Sequence, residues 1–230
     1  MIIAVPFAGA DVSQAVAKVM VASCKAAMPN VEVIQLTDVD TEPLEGVDGV
    51  IRRHRGDSWP EFFLRHMITM PYPEVLKLDY DVIVQRSVEE VFQLPFDLAL
   101  TRRIINDTTC GPMIRVKNPH NHGVMFMRHG AKPFFEYAYR EFLGIQDDNG
   151  WMDVSYILEE AAAQGTCRWI QLPGERYNYT PKHRDEDVSN CAIVHYKGNR
   201  KWWMVGAENE AEARKDGEQV LRMVEERDAD

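Results

Sequence analysis

Two carboxylates separated by one residue, Asp79 and Asp81 on either side of Tyr80, stand where an apolar run from Val75 to Leu78 ends. Side chains alternate along a strand, but the turn that leaves it breaks the alternation, so both acids can converge on one cation. Hard oxygen donors of this kind suit Mn²⁺ or Mg²⁺, and such an ion bridges and neutralises the phosphates of a bound nucleotide. Two acids in a solvated turn are the bland alternative for the pair taken alone. Far along the chain, His195 lies in a second apolar run, Ala192 to Tyr196, and is followed by Lys197, Gly198 and Lys201. An imidazole nitrogen at a strand end suits Mn²⁺, a glycine lets the backbone come close to phosphate, and the lysines offer cationic donors. A lone histidine in an apolar strand is ordinarily structural; the glycine and lysines beside this one favour the ligand reading.

The elements that must position these residues alternate in type. Ile2 to Phe7 reads as a strand, Asp11 or Ser13 caps a helix running to about Met28, and Val31 to Leu36 reads as the next strand. The polar, glycine-containing stretch from Thr37 to Asp57 reads as a connection. Ser58, with Pro60 just inside, starts a helix that Pro71 and Pro73 end, and Ser87 is expected to cap a short helix to Phe92. Leu98 to Thr101, Gly123 to Met127, Arg168 to Leu172 and Ala192 to Tyr196 read as strands, and Lys132 to Phe142 and Met152 to Gln164 as helices. Alternating β and α elements imply an open α/β sheet with ligands at the carboxyl ends of its strands.

Composition sets the outer limits. A chain of 230 residues with 45% hydrophobic content can bury one large core. No stretch approaches the roughly 20 apolar residues of a membrane span, and the first ten residues lack a secretory pattern, so a cytoplasmic location is expected. Cys24, Cys110, Cys167 and Cys191 are scattered and read as ordinary thiols. The net charge of −10 speaks against a non-specific nucleic-acid binder, yet it is unevenly spread. Nine acidic and four basic residues fall between Glu208 and Asp230, whereas Thr101 to Phe134 carries six lysines and arginines against Asp107 alone. That basic segment, with Arg102, Arg103, Arg115 and Lys117, either meets a polyanionic partner such as a nucleic acid or phosphorylated sugar, or pairs with the acidic remainder or a bound diphosphate.

The stretch Pro71 to Val84, P-Y-P-E-V-L-K-L-D-Y-D-V-I-V, resembles the proline-tyrosine, apolar strand, D-x-D segment of GT-A glycosyltransferases, in particular the glycogenin and lipopolysaccharide galactosyltransferase family. The helix before it, with Arg65 in a donor-binding position, matches in kind. Asn121-His-Gly-Val-Met resembles the family's N-x-G-V-M strand, His195 to Trp203 its H-x-x-G-x-x-K-P-W segment, and Arg176-Tyr-Asn its R-Y-N motif on the wall of the donor pocket. The pieces occur in the family's order across most of residues 1 to 205.

The resemblance implies a single GT-A-like (Rossmann-like) α/β domain over 1–207, with a mostly parallel mixed sheet flanked by helices; residues 208–230, acidic by composition, are expected to form a helical tail. The resemblance also implies a nucleotide-sugar donor, UDP-linked in the family's manner, held on Mn²⁺ or Mg²⁺ by Asp79, Asp81 and His195. Lys201 would meet the diphosphate with Gly198 beside it, and Asn121 would face the sugar. Where the family has D-Q-D near the reacting sugar, this chain has Trp151-Met152-Asp153, which leaves Asp153 as the catalytic candidate; Asp147 and Asp148 just before it read as helix caps. Trp202 replaces the family's proline. Two other classes fit parts of the pattern: a haloacid-dehalogenase-like phosphatase with Asp79 as nucleophile, Asp81 as acid/base and Thr101 as its second motif, and a nucleotide-sugar-binding module without turnover.

Overall fold

The computed structural model describes residues 1–9, 13–55, 58–104, 119–144, 151–207, 209, 210, 212 and 213, with 151–153 described by their backbone alone. Its first half builds the parallel part of a sheet. Strand β1 (Ile2–Pro6) leads into helix α1 (Ser13–Ala27) and back to β2 (Glu32–Thr37), and β3 (Gly49–Arg52) adds an edge. Helix α2 (Trp59–Ile68) then precedes β4 (Glu74–Leu78). Strands β5 (Val82–Val84), β6 (Leu98–Arg102) and β7 (His120–Arg128) follow, then helices α3 (Lys132–Leu143) and α4 (Trp151–Ala163). Strand β8 (Trp169–Leu172), the single-turn helix α5 (Gly174–Tyr177) and β9 (Ile193–His195) complete the order.

Seven strands form one sheet in the order β3-β2-β1-β4-β7-β6-β8, and only β7 runs antiparallel to its neighbours. Strands β5 and β9 pair separately and antiparallel. The sheet is therefore mostly parallel and mixed, as the sequence leads one to expect.

Alternation along each strand divides the core into two apolar layers. Ile3, Val5, Leu76 and Leu78 face α1, where Ala17, Met20, Val21 and Cys24 are buried. Ile2, Ala4, Ile34 and Val75 face α2, α3 and α4, against Phe63, Met67, Phe134, Phe135 and Leu158. Each fully buried side chain of this size contributes about 1.5–3 kcal/mol. Helix α2 starts where its sequence says it should. Ser58 is extended and its Oγ accepts a hydrogen bond from the Glu61 N–H at 3.3 Å, with Pro60 in the first turn and Arg65 and His66 in the last.

Three segments differ from expectation. Strand β3 lies inside the stretch read as a connection; it is a four-residue edge strand, half-buried to exposed, with too few apolar positions to stand out. The helix expected after Ser87 is a 3₁₀ segment, Glu89–Gln93, with Val88 at its cap. Strand β7 begins three residues early, at His120, where His120 and Asn121 pair with Arg102 and Thr101 of β6. Near the end a 3₁₀ helix, Gly198–Val205, packs Trp202 against Val16 of α1, so Trp202 fills the core as its type suggests. The tail expected over 208–230 lies almost wholly outside the described residues.

Candidate metal centre

Strand β4 delivers Asp79 to the carboxyl edge of the sheet, and the Asp79 N–H extends the ladder by donating to the Gly123 carbonyl of β7 at 2.8 Å. Strand β5 returns beside β9, with Val82 opposite His195, and the Tyr196 N–H donates to the Asp81 carbonyl at 2.8 Å. Two strand pairs thus bring residues 114 positions apart to one point. A ligating atom from each of Asp79, Asp81 and His195 lies within 4.8 Å of the others. His195 Nε2 is 3.0 Å from Asp81 Oδ1 and 3.7 Å from Asp79 Oδ2.

A hydrogen-bond network behind His195 sets its tautomer. Asn178, just after α5, donates through Nδ2 to Thr101 Oγ1 at 2.6 Å and to the Asn121 carbonyl at 3.2 Å. Its Oδ1 accepts from Asn121 Nδ2 at 3.2 Å and therefore from His195 Nδ1 at 2.9 Å. The proton on Nδ1 leaves the Nε2 lone pair aimed at two carboxylate oxygens. Three acceptors facing one another require a cation between them, either a proton or a metal ion, and two oxygens with one imidazole nitrogen match Mn²⁺ or Mg²⁺ chemistry. The residues present fit such an ion.

Glycines make room for this arrangement. A Cβ on Gly123 would lie 2.1 Å from His195 Cε1 and 2.8 Å from Asp79 Oδ2, so no other residue fits there. Gly198, at φ +62°, lets the chain turn from β9 into the 3₁₀ helix without strain. That turn puts Lys201 beside the D-x-D segment: its Nζ donates to the Tyr80 hydroxyl at 3.1 Å and lies over the Trp202 ring.

Asp79 and Asp81 of the cluster line a cleft. Pro6, Trp59, Phe63, Lys77, Asp79, Tyr80 and Asp81 line a recess open to solvent. A neighbouring chamber shares Pro6, Trp59 and Tyr80 and adds Phe7, Ser13 and Arg55, whose guanidinium lies over the Trp59 ring. Asp79 keeps 36% of its side chain exposed to this cleft. Burial pushes its carboxyl up, but the neighbouring Lys77 charge and its hydrogen bond hold it below the usual carboxylate value.

The other expected site residues fall into three groups. Asn121 is near the cluster, yet its amide is turned inward, Oδ1 accepting from the Gly123 N–H at 3.1 Å. Arg65 is set apart: it pairs with Glu61 at 3.6 Å on the surface of α2, while Trp59 and Phe63 of that helix line the cleft. Arg102 is exposed at the end of β6, and Arg103 donates to the His120 carbonyl at 3.0 Å. Arg115, Lys117, Asp147, Asp148 and Cys110 lie outside the described residues, as does the side chain of Asp153 in the first turn of α4. Thr101, the phosphatase reading's second motif, is instead tied to Asn121 and Asn178, donating to the Asn121 carbonyl at 2.9 Å. Sequence reasoning passed over Lys77, Gly123 as a packing requirement, and Trp59 with Arg55. No helix among the described residues is long and apolar enough to cross a membrane.

No protein-family model and no curated protein matches the sequence. Solved structures do. The galactosyltransferase LgtC in complex with donor and acceptor sugar analogs is similar at a TM-score of 0.58 and 16% identity, with 86% of this chain and 87% of that chain covered. A glycosyltransferase involved in glycosylation of the major capsid of PBCV-1 gives 0.60 and 15%, over 90% and 100%. Mouse xyloside xylosyltransferase 1, in its apo form, gives 0.55 and 14%, over 86% and 98%. The chain has the GT-A fold of these glycosyltransferases.

Proposed function

We propose that the chain is a metal-dependent glycosyltransferase that moves a sugar from a nucleotide-diphosphate donor, UDP-linked, to an acceptor hydroxyl. One observation supports the reading: in a GT-A fold, two carboxylates and an imidazole whose Nδ1 is held by the Asn178 amide oxygen bring three ligand atoms together beside a cleft. Asp79, Asp81 and His195 would hold Mn²⁺ or Mg²⁺, which when bound neutralises the diphosphate and eases its departure. The remaining tasks belong to the chain. Lys201, whose ammonium donates to the Tyr80 hydroxyl within the D-x-D segment, would turn onto a phosphate oxygen. The chamber with Phe7, Trp59 and Arg55 offers aromatic and cationic surface to a nucleobase. Asp153, opening α4, would face the reacting sugar and stabilise its developing positive charge.

Thermal stabilisation by nucleotide sugars with Mn²⁺ tests this. A specific donor at 100 times its dissociation constant adds about 2.7 kcal/mol, and its slow hydrolysis separates an enzyme from a binding module. Stabilisation by no nucleotide diphosphate in the presence of Mn²⁺ would refute the assignment.

A further inference from the structure

Lys77 is a charged side chain buried in the core, 1% exposed, on β4 two residues before Asp79. Its ammonium meets three groups. Nζ is 2.5 Å from Asp79 Oδ1, donates to the His122 carbonyl at 2.9 Å, and lies 5.1 Å from the centre of the Phe63 ring. A buried ammonium costs several kcal/mol unless paired, so the partnership with Asp79 is what holds it there. That pairing occupies Oδ1 and leaves Oδ2, the oxygen on the His195 side, for a cation. It also changes the charge a cation would meet: Asp79 and Asp81 bring two negative charges, and Lys77 reduces them to one.

We propose that Lys77 is a positioning residue and built-in counter-charge that makes cation binding by Asp79, Asp81 and His195 depend on the donor's diphosphate. It fixes which oxygen of Asp79 points into the cluster and weakens the site for a free divalent ion. The negative charge of an arriving diphosphate makes up the deficit. The inference rests on the reading of these three residues as metal ligands.

The experiment titrates Mn²⁺ into the wild-type chain, Lys77→Met and Lys77→Gln, with and without saturating UDP, reading free Mn²⁺ from its electron paramagnetic resonance signal. Wild type should bind Mn²⁺ at least ~10-fold more tightly with UDP than without, because opposite charges a few ångströms apart in partly aqueous surroundings interact this strongly. Both variants should bind Mn²⁺ alone at least ~10-fold more tightly than wild type, since a neighbouring like charge is gone, and should gain less from UDP. Damage to the fold would weaken binding, the opposite sign. Lys77→Gln keeps an amide donor toward Asp79 Oδ1 and the His122 carbonyl, so it decides the question if Lys77→Met does not fold. Binding by Lys77→Gln no tighter than wild type overturns the proposal. If wild type binds no Mn²⁺ even with UDP, the metal reading of the site falls and this inference falls with it, a result distinct from an unchanged variant.

Discussion

Asn121 and His122 are consecutive residues of one strand, and they open onto two buried polar regions of contrasting character. On the Asn121 side every side-chain polar group has a partner: Asn121, Asn178 and Thr101 interlock, and the chain of bonds ends at the His195 ring. On the His122 side Glu159 binds His120 at 2.7 Å, but both ring nitrogens of His122 are buried without a hydrogen bond, the nearest acid oxygen being 3.6 Å away. Burial first, then the charges of His120, Arg103 and Lys77, pushes the His122 pKa well below that of a free imidazole. A satisfied network fixes one proton arrangement and holds a lone pair where a cation can use it; an unsatisfied one keeps its imidazole neutral and inert. The same strand therefore separates a prepared site from a merely buried one.

Removing a ligand from the prepared side should have the largest effect. Asp81→Ala is expected to lower Mn²⁺-dependent UDP affinity well beyond the 10–100-fold typical of losing a group that only orients a ligand. Its melting temperature should stay near wild type because a turn carboxylate adds little packing; calorimetric titration and a melting curve read the two quantities. Donor hydrolysis at the wild-type rate would remove Asp81 from the site. Next, Asp153→Asn should cut turnover by about 100-fold with donor affinity unchanged, read as a fall in kcat without a rise in KM. An equal loss of donor affinity would make it a binding residue.

Asn178→Ala probes the network itself. Without the amide oxygen the proton on His195 Nδ1 loses its acceptor, so Mn²⁺ affinity should fall 10–100-fold while all three proposed ligands remain. His122→Gln, on the other side of the strand, should leave Mn²⁺ affinity unchanged, and a comparable fall there would erase the distinction between the two regions.

Much of this was legible in the sequence, for physical reasons. The apolar run into Asp79 and the second run through His195 declare strand ends, and Ser58 with Pro60 declares a helix start; each signal is local. The convergence of the site was visible only through the order of the motifs. Lys77 escaped notice because a lysine in a strand ordinarily marks a solvated face, and only the antiparallel pairing of β4 with β7 brings the His122 carbonyl over it. Gly123 looked like one motif letter until β9 placed a histidine ring against it. Arg65 has the right type in the right helix but the wrong face, since Trp59 and Phe63, four residues apart, are the pair that lines the cleft.

The last effect is on stability rather than affinity and concerns a buried imidazole away from the site. Burial, with Arg53 nearby, pushes His66 in α2 down to about 4. Its folded value lies below the unfolded value near 6.5, so the unfolded chain takes up a proton first as pH falls. The stability involved is fully present above about pH 6.5 and is lost progressively toward pH 4, amounting to about 3 kcal/mol. Melting curves from pH 7 to 4 should show this slope in the wild type and a shallower one in His66→Leu. Equal slopes would mean the ring takes up its proton while folded.

The central claim, that Asp79, Asp81 and His195 hold a divalent cation against a nucleotide diphosphate, is met most directly by crystals grown with Mn²⁺ and UDP and measured for manganese anomalous scattering. The account predicts one strong peak within bonding distance of Asp79, Asp81 and His195 Nε2, adjacent to the diphosphate. UDP bound in the cleft with no manganese at those three side chains, or manganese bound elsewhere on the chain, would contradict it.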